Sequence, residues 1–524
     1  MSSVHDEKSI YIIVECKKKN RKDGRDQLED YLRFSNASLG VWFNGEERLY
    51  LHKVIKDNEI QFREIPNIPR YGERLEDIGM FKRKDLRKAK NLKPTFRAIR
   101  NYLAANAIGI TRDEVFASQL INLIFCKIYD ERFTKPDDTV KFRAGVNESE
   151  EDIYNRILTL FDRVKHQYND VIEVSDSILL DSRSVKYIVG ELQLYSLKDS
   201  SRDAVGDAFE IFIGPSLKGA QGQFFTPRNV VNMVIRMIDP GIDERILDPA
   251  CGSGGFLVES LRYVWNKLEE KAADLGWPES EIEAEKQRIA IKNLRGIDKD
   301  SFLSKVAKAY LAILGDGRGG IHCENSLESF RNWSAKTFED IQPESFDVIV
   351  TNPPFGKKLS IDSTEILELY DLGHRWNSVP GGVFEKGALA DKQPPQLLFI
   401  ERCFQMLRPG GRMGIVLSES IFGMPKYQYV VNYIRLQAKI NAIVTLPEDL
   451  FQPHTHAKCC VLICQKYKKN ESYSSCDNYD IFMSDVKWCG HDSRGNITYS
   501  YTSTGEKVVL DEIPLVADRY LEMR

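Results

Sequence analysis

An open, doubly wound α/β sheet is the fold this sequence predicts, and two stretches predict it. In the first, Arg245-Ile246-Leu247-Asp248 runs into Pro249-Ala250-Cys251-Gly252-Ser253-Gly254-Gly255 and continues as a helical pattern from Val258 to Leu275. That is strand, glycine-rich turn, helix. In the second, the apolar run Phe346 to Thr351 reads as a buried strand and stops at Asn352-Pro353-Pro354-Phe355, where two prolines forbid further ladder hydrogen bonds. Ligands of open α/β sheets sit just outside the carboxyl ends of the strands, so the residues after each strand are the candidates for chemistry.

Each turn has its own physical use. Glycines let backbone approach a ligand closely and tolerate positive φ, and a helix amino terminus offers free N–H groups to a carboxylate or phosphate. No Gly-Lys-Ser/Thr follows, so the turn is not a phosphate loop, nor is it the usual Gly-x-Gly-x-x-Gly fingerprint. Asn352-Pro353-Pro354-Phe355 projects one amide, one stiff bend and one ring. It suits a flat, amino-bearing substrate: the Asn352 oxygen and the Pro353 carbonyl can accept both hydrogens of an exocyclic amine while Phe355 stacks on the ring. An ordinary proline turn is the alternative for the tetrapeptide alone; the glycine-rich turn roughly a hundred residues earlier makes the pair far more specific.

At 524 residues the chain exceeds one core and implies three to four domains. A hydrophobic share of 42% and a charged share of 29% are those of a soluble globular protein. No apolar run reaches the ~18 residues of a membrane span, and no signal-peptide pattern opens the chain. The ten cysteines form no Cys-x-x-Cys or Cys/His cluster, which argues against zinc and for reduced thiols in a cytoplasm. A net charge of −4 does not advertise nucleic-acid binding. The basic stretch from Lys82 to Arg100 is either a phosphate-tracking surface or a solvated helix face.

Four parts are expected. Residues 1–65 carry strands at Ile10 to Glu15, Gly40 to Phe43 and Arg48 to Val54. Residues 66–205 are mainly helical, with segments at Asp113 to Phe133 and Glu150 to Asp170. Residues 206–470 form the catalytic sheet, with a helix at Leu397 to Leu407 and strands at Gly411 to Leu417, Ile440 to Leu446 and Ala457 to Gln465. Residues 471–524 are a C-terminal extension too short to read a DNA sequence. The glycine-rich, polar stretch 357–395 reads as a long loop.

These motifs resemble the amino-methylating, S-adenosylmethionine-dependent DNA methyltransferases, most closely the modification subunit of type I restriction systems, over roughly residues 85–470. The resemblance implies a Rossmann-like catalytic sheet and a helical N-terminal domain. It makes Phe225, Thr226 and Pro227 the segment over the cofactor's methionine part. Asp248, Pro249, Ala250, Gly252, Ser253 and Gly254 become the cofactor loop, Asp298 the binder of the ribose hydroxyls, and Asn325 the reader of the cofactor's adenine. The family usually has Asp where this chain has Asn325. Asn352, Pro353, Pro354 and Phe355 match the target-base motif. The implied reaction is methylation of the N6 amine of an adenine flipped out of double-stranded DNA. The implied partners are separate specificity and restriction subunits. Related motifs also occur in methylases of protein glutamine and of ribosomal RNA, in chains that are typically much shorter.

Glu15 and Lys17 lie two apart on one strand face, and Gln27 precedes Tyr31 on a helical segment. Together they resemble the Glu-x-Lys and Gln-x-x-x-Tyr elements of the nuclease fold of type I restriction subunits, a small α+β segment. In that fold an acidic pair binds magnesium. Asp6 alone could complete such a pair, so no metal and no cleavage is expected here, a bifunctional restriction enzyme–methyltransferase being the alternative.

Overall fold

The structure, a computed structural model, describes residues 11–18, 24–44, 48–56, 59–69, 75, 78–107, 112–200, 226–315, 317–355, 359–380, 383–452, 457–473, 479–502 and 504–524. It forms two units, Met1–Ser216 and Leu217–Arg524. The division falls within 201–225, outside the described residues.

The first unit opens with β1 (Ile12–Cys16), α1 (Arg25–Arg33), β2 (Leu39–Phe43), β3 (Arg48–Lys56) and β4 (Glu59–Glu64), in sheet order 1-2-3-4. β1 and β2 are parallel, so α1 is their crossover, and β3 and β4 follow antiparallel. Leu28 and Leu32, four apart on α1, bury against Trp42 and Leu51 of the sheet. Next come β5 (Arg87–Lys88), α2 (Lys93–Asn106), α3 (Asp113–Phe133), α4 (Glu150–Gln167), α5 (Ser182–Leu192) and β6 (Tyr195–Ser196). A capping box between Ser149 and Asp152 starts α4. α3 runs through the middle of these helices and holds their loops by buried carboxylates. Asp130 accepts from the amides of Lys141 and Phe142, and Glu131 from those of Leu197 and Lys198. Residues on both sides of position 65 belong to one unit, and the Arg48–Glu191 ion pair joins β3 to α5.

The second unit contains α6 (Arg228–Ile238), β7 (Ile246–Asp248), α7 (Gly255–Leu275), α8 (Glu279–Lys292), β8 (Leu294–Asp298), α9 (Ser301–Gly315), β9 (Ile321–Cys323) and β10 (Phe346–Thr351). There follow β11 (His374–Val379), β12 (Val383–Leu389), α10 (Pro395–Met406), β13 (Leu407–Ser418), α11 (Gln428–Gln437), β14 (Ala438–Thr445), β15 (Cys459–Lys466), β16 (Phe482–Asp485) and α12 (Ile513–Met523). The eight-stranded sheet has the order β16-β14-β15-β13-β10-β7-β8-β9. Every neighbour pair is parallel except those made by β15, which runs against β13 and β14. The chain winds outward from β7 through β8 to β9, then returns beside β7 as β10. The strand order reverses between β7 and β10, which is where ligands bind in doubly wound sheets. Phe346, Val348, Ile349 and Val350 of β10 are each fully buried, worth roughly 1.5–3 kcal/mol apiece.

Two expectations change. The stretch 357–395 is not one long loop, because β11 and β12 pair as an antiparallel hairpin within it. The hairpin exposes polar residues on both faces, so no apolar alternation marks it; Trp376 lies stacked on Tyr429, ring centroids 6.1 Å apart. The catalytic sheet also extends past residue 470: β16 pairs with β14 at the sheet edge, and α12 lies on α6, joined by the Arg236–Asp518 ion pair.

Candidate functional site

Four strand ends converge on one cleft. β7 delivers Pro249, Ala250 and Gly252; β8 delivers Asp298 and Lys299; the segment after β9 delivers Asn325, Ser326 and Leu327; β10 delivers Asn352 through Phe355. Leu303, Leu359, Ile361, Pro395 and Phe399 complete the wall.

The glycine-rich turn needs its glycines. Gly252 has φ +52° and Gly254 φ +86°, conformations an L side chain rarely adopts. A Cβ at Gly252 would meet nothing within 4 Å, so φ rather than crowding selects glycine there. Gly254 caps α7 without a side-chain acceptor. The Gly252 amide donates to Asp298 Oδ2 at 2.9 Å, and the Asp300 amide to Asp298 Oδ1 at 2.9 Å. Asp298 thus braces the turn and faces the cleft with its remaining lone pairs. Burial raises its pKa, against those two hydrogen bonds.

Asp248 does not line the cleft. It is 1% exposed beneath the turn and accepts from the Ala250 amide at 3.1 Å. Burial pushes its carboxyl up to about 7, opposed by the hydrogen bond from the Ala250 amide and aided by the charge of Asp298. Ser253 and Gly254 likewise lie behind the cleft wall. Phe225 lies outside the described residues, while Pro227 caps α6.

Asn352 is anchored through its nitrogen. Nδ2 donates to Thr226 Oγ1 at 2.9 Å, whereas Oδ1 is buried with no hydrogen-bond partner among the described residues. Such an orphaned acceptor is rare in folded proteins and needs an explanation. Phe355 is 5% exposed and packs edge-on against Phe451, ring centroids 5.9 Å apart.

Asn325 is turned onto its own loop. Oδ1 accepts from the Leu327 amide at 3.1 Å, and Nδ2 donates to Glu328 Oε1 at 3.2 Å. The sequence reading missed Leu303, Leu359, Ile361, Lys299, Pro395 and Phe399, which carry no motif and become neighbours only through folding.

In the first unit Glu15, Lys17 and Gln27 do come together. Lys17 Nζ lies 2.9 Å from Glu15 Oε1 and donates to Gln27 Oε1 at 2.6 Å, and Gln27 Nε2 donates to Tyr31 at 2.6 Å. Asp6 lies outside the described residues. No group of three or more His, Cys, Asp or Glu suited to a metal occurs among the described residues. In the basic stretch, Arg83 pairs with Asp199 and Lys84 with Asp137, while Arg87, Lys88, Lys90 and Arg97 are exposed. No helix among the described residues is long and apolar enough to cross a membrane.

A family model of N-6 DNA methylases matches residues 200–496, more than half of the chain. The chain belongs to the N-6 DNA methylase family. A second model, the N terminus of the type I restriction enzyme R protein, matches residues 2–69. The chain is 24% identical over 352 residues to the type I restriction enzyme EcoEI methylase subunit of Escherichia coli, covering 63% of this chain and 63% of that one. It is 27% identical over 363 residues to the MjaVII methylase subunit of Methanocaldococcus jannaschii, covering 67% of this chain and 56% of that one. The chain therefore spans less than two thirds of the length of these relatives. The crystal structure of a type I restriction-modification methyltransferase subunit from Streptococcus thermophilus shares the fold. It has a TM-score of 0.53 at 15% identity and covers 83% of this chain and 93% of that one. Among N-6 DNA methylases the strand ends at Asp248, Asp298, Asn325 and Asn352 are thus placed in a sheet of the expected kind.

Proposed function

We propose that this N-6 DNA methylase binds S-adenosylmethionine in the cleft and methylates the exocyclic N6 amine of an adenine flipped out of double-stranded DNA, as the modification subunit of a restriction-modification system. The buried, unpartnered Oδ1 of Asn352 carries the reading. An acceptor held out of water without a donor costs free energy unless a ligand supplies one. An exocyclic amine supplies two donors, one for Oδ1 and one for the neighbouring Pro353 carbonyl. Accepting both hydrogens favours a pyramidal nitrogen whose lone pair is free to attack. Phe355, held edge-on by Phe451, offers a fixed stacking face to the flipped base. Catalysis is then orientation and electrostatic stabilisation without a strong general base.

The cleft fits the cofactor. Of the residues lining it, Pro249, Ala250 and Gly252 would allow close backbone approach, Asp298 would bind the ribose hydroxyls, and Asn325 and Leu327 would border the adenine, with Thr226 beside Asn352 on the methionine side. The bound cofactor supplies an electrophilic sulfonium methyl. The chain also works, on this reading, with a specificity subunit that reads the DNA sequence and with a restriction subunit, in the cytoplasm; the nine described cysteines are free thiols.

Calorimetric titration with S-adenosylhomocysteine, followed by tritium transfer from labelled cofactor to DNA, RNA and protein, tests the reading. Binding with transfer to DNA adenine only, enhanced by a specificity subunit, is expected. Transfer to RNA or protein instead would overturn it.

A further inference from the structure

Arg402 is 2% exposed in the middle of α10, yet it makes no ion pair among the described residues. A buried charge of this kind is costly unless every donor finds an acceptor. Two of its acceptors are carbonyls of one loop and the third is a tyrosine hydroxyl. Nη2 donates to the Glu328 carbonyl at 2.7 Å and to that of Leu327 at 3.4 Å, and Nε donates to the Tyr370 hydroxyl at 2.8 Å. That hydroxyl in turn donates to the Leu327 carbonyl at 2.8 Å, and Trp333 Nε1 donates to the Asn325 carbonyl at 3.0 Å. The guanidinium faces the rings of Phe330 and Tyr370 at 4.3 and 5.1 Å from their centroids.

Trp333, Tyr370 and Arg402 thus hold the carbonyls of residues 325, 327 and 328. The same loop presents Asn325, Ser326 and Leu327 to the cleft. Ser326 also donates to the Pro249 carbonyl, which ties the loop to the glycine-rich turn. α10 reaches both sides of this arrangement, since Pro395 and Phe399 border the cleft directly and Arg402 lies one turn deeper.

We propose that Arg402, through Tyr370, is a positioning residue for cofactor affinity: a buried cationic clamp that holds the Asn325–Glu328 loop in its adenine-facing conformation without touching cofactor or substrate. This rests on the cofactor reading given above. The clamp lies behind the nucleoside end of the cleft and not behind Asn352, so its loss weakens cofactor binding and leaves transfer from the bound state intact.

The test uses the full chain and its Arg402→Lys and Tyr370→Phe variants. Lysine keeps the charge but not the planar fork; phenylalanine keeps the ring but removes the donor to Leu327. Each is titrated with S-adenosylhomocysteine, and methyl transfer is timed at saturating cofactor. The expected result is a Kd raised roughly tenfold in both, the scale of one lost hydrogen bond to a buried charged group, with the saturated transfer rate within about twofold of wild type. A folded variant that binds with unchanged Kd overturns the proposal, as does a saturated rate that falls as far as affinity. If Arg402→Lys does not fold, Tyr370→Phe decides alone. Failure of the wild-type chain to bind would instead refute the cofactor reading.

Discussion

Thr226 and Asn352 stand 126 positions apart and meet in a single 2.9 Å hydrogen bond that engages the amide nitrogen, while its oxygen has no hydrogen-bond partner among the described residues. Threonine here sets which end of the asparagine faces a substrate. Thr226, two residues before α6, and Asn352, the residue after β10, are thus coupled, although the segment leading to Thr226 lies outside the described residues.

Thr226→Val keeps the shape and removes the acceptor. The amide is then free to rotate, at a cost of about 1 kcal/mol for the lost bond. We expect the transfer rate to fall about tenfold with cofactor affinity unchanged, measured in single turnovers at saturating DNA. An unchanged rate would show that Thr226 does not orient Asn352.

Asn325 is matched to Glu328. Its Nδ2 donates to that carboxylate, so an aspartate at position 325 would set two carboxylates side by side. Asn325→Asp alone should weaken cofactor binding about tenfold through repulsion within the loop. Adding Glu328→Gln should restore most of the loss, because the glutamine amide can donate to the new carboxylate. A double variant no better than the single one would contradict the coupling.

Asp248 gives stability a pH dependence of known sign. Its folded pKa of about 7 lies above the ordinary value near 4, so the folded state holds its proton while the unfolded chain releases it. The stability it contributes is full below about pH 4 and is lost as pH rises to about 7, by on the order of 4 kcal/mol. Asp248→Asn cannot titrate. Urea unfolding at pH 5 and pH 7.5 should show the variant gaining relative to wild type at the higher pH. A difference independent of pH would refute the buried neutral acid.

Much of the site was readable before the fold because its pieces are local. An apolar run followed by Asp-Pro or Asn-Pro-Pro marks a strand end, and strand ends of one open sheet converge by topology alone. Thr226 was readable only as part of a motif; its partnership with Asn352 depends on where α6 packs. Glu401 and Arg402 look like the solvent face of a helix, yet α10 is covered on every side. Glu401 accepts from the amides of Asp371 and Leu372 as Arg402 grips residues 327 and 328. No periodicity announces a charged residue whose partners are backbone groups of distant loops. The β11–β12 hairpin was hidden for the opposite reason, since it has no buried face to impose alternation.

The amino-terminal segment should not cut DNA. Lys17 is held by Glu15 and Gln27, which ties up the Glu15 carboxylate that a metal would need. Supercoiled plasmid incubated with the chain, magnesium and cofactor should stay intact. Nicking that disappears in Glu15→Ala would contradict this.

The most direct measurement is single-turnover methyl transfer by Asn352→Ala beside calorimetric titration of the same protein with S-adenosylhomocysteine. Removing the orphaned acceptor should leave cofactor Kd within about twofold while transfer to DNA adenine falls by at least ~100-fold, the mark of an interaction used in the transition state. Wild-type turnover by this variant on a verified substrate would contradict the account.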